Sequence, residues 1–328
     1  MDVLIVEPLD PEVLQWLHVR HDVRYAPDLA HEPREFRKAL FEVRSMILPP
    51  SVAVDAKTLE AAPMLRALGR LSAGAENIDL EACARAGVEV VRPLTASAAA
   101  EAEFLIGALL QMFRRVPVLN AEGLMVGREI GGAAIGIVGM TPAARVLAEL
   151  LRAFGARVLG YDPVLHASDP LWARWGVEPV SLRELMRTSE GVCVLLAYFP
   201  RYQGLFGERF LADCKSNQVM VSLAHSSLFD ELALADALGS GRMAAVWFDS
   251  MEPGLLDPGR PLHHAGTVQV TPRVASTTVA SRQRSAWAVA RRIDELLTPP
   301  PSAAEDLMAL PTTDLADISD VEGGPKPA

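Results

Sequence analysis

The sequence predicts an α/β protein of two doubly wound parallel-sheet domains, and three observations predict it. Short apolar runs of strand length alternate with helical spacings twice, first over residues 3–91 and again over 134–270. Two long stretches without internal Pro or Gly-Gly breaks, 96–115 and 276–297, are long enough to cross between domains. A chain of 328 residues exceeds one ordinary core, and its 50% hydrophobic content suffices for two.

The first cascade begins with residues 3–6, an unbroken apolar run that predicts a buried strand. Asp10-Pro11 then starts a helix with apolar Val13, Leu14 and Leu17, because Asp suits an N-cap and Pro the first helical position. Residues 23–25 predict a strand, 35–43 a helix, and 45–48 a strand stopped by Pro49-Pro50. Residues 55–62 predict a helix and 65–71 a strand. A short helix over 80–86, closed by Gly87, and a strand over 88–91, closed by Pro93, follow. Such alternation makes a parallel open sheet with helices on both faces.

The long helix over 96–115 carries the domain boundary. In the second cascade an apolar strand over 134–138 meets Gly139, and Thr141-Pro142 starts a helix with apolar Val146, Leu147, Leu150, Leu151 and Phe154. A strand over 156–161 ends on Asp162, 23 residues after Gly139. Helices are predicted over 181–188, 208–214 and 230–238, and strands over 192–198, 219–224, 244–248 and 267–270. The helix over 276–297 returns to the first domain. Residues 1–96 plus 277–300 thus form one domain and 97–276 the other. From Thr298 the chain turns to Pro and acidic residues without periodicity, so 301–328 reads as a disordered acidic tail.

The stretch 135–162 has the layout of a dinucleotide-binding βαβ unit, in which a helix N-terminus faces a pyrophosphate and an acid takes the ribose hydroxyls. Its glycine fingerprint departs from G-x-G-x-x-G, with Gly139 first, Thr141 second and Ala144 third. Alanine keeps the third position small. Thr141 adds a Cβ where backbone approaches phosphate, and Pro142 removes an N–H donor. A βαβ unit that no longer holds a nucleotide is the opposing reading. Asp162 likewise reads either as a ribose ligand, selecting NAD over NADP by charge, or as the cap of a strand-to-loop turn.

The net charge of −10 argues against a nucleic-acid partner. Cys83, Cys193 and Cys214 have neither metal-ligand spacing nor disulfide-rich density, so no metal is expected. The first residues, Met1-Asp-Val-Leu-Ile-Val-Glu7, lack a basic leader, and no apolar run reaches membrane-spanning length. A cytoplasmic protein without membrane partners is the expectation. Arg70, Arg92 and Arg145 read as surface or helix charges, with Arg145 also a candidate near the phosphates.

Several segments stand in one order along the chain: residues 72–79 (Ser-Ala-Gly-Ala-Glu-Asn-Ile-Asp), Ala102-Glu103-Phe104, Tyr161-Asp162-Pro163, Leu228-Phe229-Asp230-Glu231 with Ser240-Gly241-Arg242, Asp249, Glu252-Pro253 and Thr271-Pro272. In that order they resemble the D-isomer-specific 2-hydroxyacid dehydrogenases over nearly all of residues 1–300. The resemblance implies a flavodoxin-like substrate domain, a Rossmann-like dinucleotide-binding domain, a homodimer, and NAD-dependent reversible reduction of a 2-oxo acid or related small carbonyl compound. It implies NAD bound by Gly139, Thr141, Ala143, Ala144, Asp162 and Asp249, the last contacting the nicotinamide amide. It also implies substrate carboxylate binding by Ala73, Gly74 and Ala75. For Gly74 alone, a plain turn glycine is the other reading.

In that family an arginine binds the substrate carboxylate, a histidine exchanges the hydroxyl proton and a glutamate tunes the histidine. Here His225 stands at the arginine position and Arg273 at the histidine position, with Glu252 on a loop shorter than usual. Three readings of the exchange remain. His225 serves as acid/base while Arg273 holds a carboxylate; or His263 or His264 carries the proton; or Arg273 pairs with Glu252 and the centre is silent, leaving a nucleotide- or small-acid-binding or interaction protein. Arginine itself cannot be the general base. Ser222, His225 and Asp230 suggest a hydrolase triad, which the lack of a Gly-x-Ser-x-Gly elbow sets aside.

Overall fold

The computed structural model describes residues 1–72, 74–75, 77–249 and 254–298. Its first half runs β1 (Val3–Ile5), α1 (Pro11–Arg20), β2 (Val23–Tyr25), α2 (Pro33–Lys38), β3 (Ser45–Ile47), α3 (Ala56–Glu60), β4 (Ala67–Gly69), α4 (Leu80–Arg85), β5 (Glu89–Val91) and the long α5 (Ala98–Arg115). After the hairpin β6 (Val118–Leu119) and β7 (Met125–Val126) come β8 (Ala134–Val138), α6 (Pro142–Ala153), β9 (Arg157–Tyr161), α7 (Pro170–Trp175), β10 (Glu178–Pro179) and α8 (Leu182–Thr188). The chain then runs through β11 (Gly191–Val194), α9 (Glu208–Leu211), β12 (Val219–Ser222), α10 (Glu231–Gly239), β13 (Ala245–Asp249), β14 (Val268–Thr271) and α11 (Val279–Leu297).

The two cascades form two parallel sheets, ordered β2-β1-β3-β4-β5 and β10-β9-β8-β11-β12-β13-β14. The α/β expectation therefore holds, and its cause is visible in burial. Central strands such as β1, β11 and β12 are buried along their whole length, as strands covered by helices on both faces must be. Helix α5 packs Leu105, Leu109 and Phe113 into the core of the larger sheet, while α11 packs Ala286, Val289 and Ile293 beneath the smaller one.

Strand and helix ends differ from expectation where partners run out. The apolar run 192–198 pairs only over β11, because β8 beside it ends at Val138 and the chain turns at Gly139. Strand β4 is likewise confined to Ala67–Gly69, the length of its neighbour β3. Helix α2 starts earlier, on Pro33, and stops at Lys38, leaving Leu40 and Val43 to fill the core from a loop. Helix α7 and edge strand β10 were not expected, although Asp169-Pro170 repeats the Asp10-Pro11 signal and Gly176 closes the helix in the left-handed region.

Arg70 corrects the surface-charge reading. It follows β4 and is 1% exposed, donating from Nη1 to Asn77 Oδ1 at 2.9 Å and from Nη2 to Ser72 Oγ at 2.8 Å. Asn77 in turn donates to the carbonyl of Val52. The guanidinium is therefore an internal brace between Ser72 and Asn77, and buried charge is tolerated there because its two terminal nitrogens meet fixed acceptors. Arg92 and Arg145 are exposed, in line with the sequence reading.

Candidate active site

All strands of the larger sheet are parallel, so Gly139, Asp162, His225, Asp249 and Arg273 emerge at one edge, the carboxyl ends of β8, β9, β12, β13 and β14. Open α/β sheets bind ligands at that edge, where the strand order reverses, here between β8 and β11.

The turn after β8 is built for close backbone approach. Gly139 has φ of +96°, and a Cβ there would stand 2.6 Å from the Leu196 backbone nitrogen, so the glycine is required twice over. Thr141 caps α6, its Oγ1 accepting from Ala144 N at 3.3 Å, and Pro142 opens the helix. Ala143 and Ala144 are buried against the sheet, which explains why small residues suffice without a third glycine. Asp162 Oδ2 accepts from Met140 N at 2.8 Å and Oδ1 from Val164 N at 3.0 Å. Its carboxylate thus ties the end of β9 to the turn after β8. Each oxygen keeps a lone pair for a hydroxyl. Pro142 contributes no N–H to the turn, so a helix start of this sequence has fewer backbone donors than a glycine-rich one.

Asp249 closes β13 and is 4% exposed. Oδ1 accepts from Thr271 Oγ1 at 2.6 Å and Val274 N at 2.9 Å, and Oδ2 from Ala275 N at 2.9 Å. These bonds shape the loop that carries Arg273, whose φ of +51° is the one positive value at a non-glycine among the described residues. Such a conformation costs roughly 1–3 kcal/mol and persists where surrounding structure imposes it, commonly at functional sites. Asp249 faces the loop after β14, a role the sequence did not reveal.

His225 follows β12 and caps a short turn, Nδ1 accepting from Ser227 N at 3.1 Å. That bond sets the tautomer with the proton on Nε2. The ring stacks on Tyr198, with centroids 5.0 Å apart and planes at 29°. The nitrogen a base needs is therefore committed to backbone. His263 and His264 are exposed, with rings 4.6 Å apart, and His263 Nδ1 donates to its own loop at Leu256 O. Gly74 and Ala75 follow β4 and are half-buried on the other sheet's loop; Ala73 and Glu252 lie outside the described residues.

A carboxyl that the sequence reading passed over lies beside this edge. Glu101 sits in the first turn of α5, half-buried, where burial raises its pKa and the Asp249 carboxylate raises it further, against a Ser97 hydrogen bond that lowers it. One turn on, Phe104 packs edge-on against Trp247 of β13 at 5.5 Å, and the Trp247 indole donates to Thr271 Oγ1 at 3.1 Å. The signal was present in the spacing: Glu101 interrupts the inward stripe Ala98, Ala102, Leu105, Leu109.

Among the described residues no helix is long and apolar enough to cross a membrane, and no cluster of His, Cys, Asp and Glu could hold a metal ion.

Residues 108–275 match the sequence model of the D-isomer specific 2-hydroxyacid dehydrogenase NAD-binding domain. A D-3-phosphoglycerate dehydrogenase of Mycobacterium tuberculosis is 30% identical over 301 residues, which are 89% of this chain and 56% of that protein. The chain spans little more than half the length of the curated relatives it matches. Among solved structures, a glyoxylate reductase from Paecilomyes thermophila superposes with a TM-score of 0.73 at 23% identity, covering 90% of this chain and 95% of that one. The NAD+-bound 3-phosphoglycerate dehydrogenase of Entamoeba histolytica gives 0.68 at 17% identity, covering 90% and 94%. Both show the same fold.

Proposed function

Because the chain belongs to the D-isomer-specific 2-hydroxyacid dehydrogenase family, and carries its NAD-binding domain, we propose that it reversibly reduces a 2-oxo acid or related small carbonyl compound with NAD as cofactor. The observation that carries this reading is the bond from Met140 N to Asp162, which keeps the βαβ turn in shape although two of its glycines are replaced. In this reading Thr141 and Ala143 face the pyrophosphate, Gly139 and Ala144 allow its approach, and Asp162 takes ribose hydroxyls and repels a 2′-phosphate. Bound there, the cofactor would supply the hydride in its reduced form and accept it in its oxidised form.

The chain's own residues bind and orient the acid. Arg273 offers a planar fork that pairs bidentately with a carboxylate, and Asp249 holds its loop. His225, whose Nδ1 accepts from Ser227 N, leaves Nε2 to donate to the carbonyl oxygen and so takes part of the arginine's polarising role. Gly74 and Ala75, with Ala73, supply backbone N–H groups to the substrate from the other domain. Glu252 is assigned to the same centre on resemblance. In this reading the chain divides into 1–96 plus 277–300 and 97–276, with the cleft between the two sheets.

A catalytically silent binding protein is the second reading, favoured by Pro142 in the anion turn and by an arginine where the proton-exchanging residue is expected. Titration with NADH, followed by energy transfer from tryptophan to nicotinamide, separates the two, with NADPH as the control. Saturable binding that prefers NADH, followed by NADH oxidation in a screen of 2-oxo acids, is the expected result. Binding without turnover on any acid selects the silent reading.

We infer a homodimer from the β6–β7 hairpin, where Leu119, Leu124 and Met125 are 67%, 62% and 65% exposed, an apolar arm suited to a second copy. Three free cysteines support a reducing, cytoplasmic setting.

A further inference from the structure

We propose that Tyr198 is a positioning residue for His225, holding the imidazole in the plane in which Nδ1 meets the Ser227 N–H. The inference rests on the dehydrogenase reading above, which gives His225 its place at the substrate carbonyl, and deepens it.

A histidine ring turns about a broad terminal torsion and carries two chemically different nitrogens, so one hydrogen bond leaves it room to swing. The Ser227 N–H, 3.1 Å from Nδ1, decides which nitrogen accepts. The tilt of the ring is decided by Tyr198, which stacks on it with centroids 5.0 Å apart and planes at 29°. Stacked rings attract each other beyond the area they bury. Tyr198 is 36% exposed and lies outside both hydrophobic cores of its sheet, so its ring serves the stack and not the core.

The two rings are brought together by loops that stay joined after their strands end. Tyr198 stands on the loop after β11 and His225 on the loop after β12, and these strands pair in parallel. Further along, Gly204 N donates to Ser227 O at 2.9 Å, Phe206 N to Leu228 O at 2.8 Å and Asp230 N to Phe206 O at 3.1 Å. Phe206 also stacks on Phe229 at 4.8 Å. The turn beside Tyr198 is stiffened from within: Phe199 and Tyr202 pack edge to face at 6.0 Å, and the Arg201 guanidinium lies over both rings, at 5.3 and 4.7 Å. A loop packed by its own side chains holds its shape at the surface.

The same loop begins against the turn of the dinucleotide unit. Leu195 N donates to Val138 O at 2.8 Å, and a Cβ on Gly139 would stand 2.6 Å from Leu196 N. Leu196 and Tyr198 therefore stand on one short loop, the first against the Gly139 turn and the second against His225. Reduction of a carbonyl requires its carbon placed for the hydride and its oxygen placed on a donor at once. A donor misplaced by about 1 Å can cost on the order of 100-fold in rate.

The test compares Tyr198→Ala, which removes the ring, with Tyr198→Phe, which keeps it and loses only the hydroxyl. Each is titrated with NADH, assayed with the best 2-oxo acid, and followed by 15N NMR of the histidine ring nitrogens, the His225 signals being identified by their loss in His225→Gln. For Tyr198→Ala the expected result is kcat down on the order of 10-fold to 100-fold, with His225 shifts moving from one tautomer toward an average of two. NADH affinity should stay within about twofold of wild type. Tyr198→Phe should recover most of the rate and the single tautomer. If Tyr198→Ala leaves the His225 signals unchanged, the assignment is overturned while the dehydrogenase reading stands, whatever happens to the rate. A Tyr198→Phe variant as impaired as Tyr198→Ala also overturns it, because the hydroxyl and not the stack would then be in use. Wild-type protein that binds NADH and reduces no 2-oxo acid overturns both.

Discussion

Asp249 holds the backbone around Arg273 in a left-handed turn. Its two oxygens accept the N–H groups of Val274 and Ala275, the two residues after Arg273, while Thr271 Oγ1 donates from the other side. The strained φ at Arg273 is therefore imposed by a buried carboxylate at the end of the neighbouring strand.

Replacing Asp249 by Ala should be costly in two ways. It strands buried donors of the Arg273 loop, so stability should fall by roughly 2–4 kcal/mol, measured by urea denaturation. Arg273 should also lose its set position, raising KM for the 2-oxo acid more than it changes NADH affinity. Equal effects on both ligands would show that Asp249 serves the cofactor directly.

Gly139→Ala should remove NADH binding. The new Cβ meets the Leu196 backbone, which cannot yield as a side-chain tip does, and the φ of +96° disfavours any L residue. A cost of more than about 1 kcal/mol is expected, read as a lower thermal midpoint alongside a flat NADH titration.

Asp162→Ala frees the Met140 N–H and removes the charge at the ribose end of the turn. NADH affinity should drop about tenfold or more, and the preference over NADPH should disappear. A variant that still discriminates would assign selectivity to another residue.

Glu7 sets a pH dependence of stability. The side chain is buried, and desolvation raises its pKa above the ordinary 4.5, against weaker opposing pulls from Arg282, Arg70 and the Leu71 backbone. A raised folded pKa means that the native state binds the proton more tightly than the unfolded chain. Its stabilising contribution is whole below 4.5 and is lost as pH rises through the folded value. Glu7→Gln should flatten thermal midpoints on the alkaline side of that window, and an unchanged slope would assign the dependence elsewhere.

Arg273→Lys keeps the charge and loses the planar fork. KM for the acid should rise about tenfold or more with NADH affinity unchanged, as judged by steady-state kinetics beside the nicotinamide titration.

Much of the architecture was legible in the chain. Apolar runs bounded by Pro and Gly located every strand of the two parallel sheets except β10, the β6–β7 hairpin was not foreseen, and Thr141-Pro142 marked the start of α6 at its first residue. Misread ends followed one rule: the run 192–198 is apolar throughout, yet it is a strand only as far as β8 lies beside it. The candidate site was legible as an inventory. The places of His225, Asp249 and Arg273 after successive strands follow from the alternation itself, because parallel strands send their carboxyl ends to one edge.

What the sequence determined alone was therefore the order of elements, the two sheets and the residue types at one edge, all properties of local periodicity and chain direction. Only the tertiary structure decided what those residues do to one another. Arg70 is a brace because Ser72 and Asn77 fold back onto it, and Asp249 is a loop anchor because two backbone N–H groups turn toward it. His225 turns Nδ1 to its own loop because Ser227 N bonds it there, and Glu101 has a raised pKa because the fold buries it, with the Asp249 carboxylate adding to the effect. Hydrogen-bond direction and desolvation depend on atoms brought together across the fold, which no spacing along the chain records.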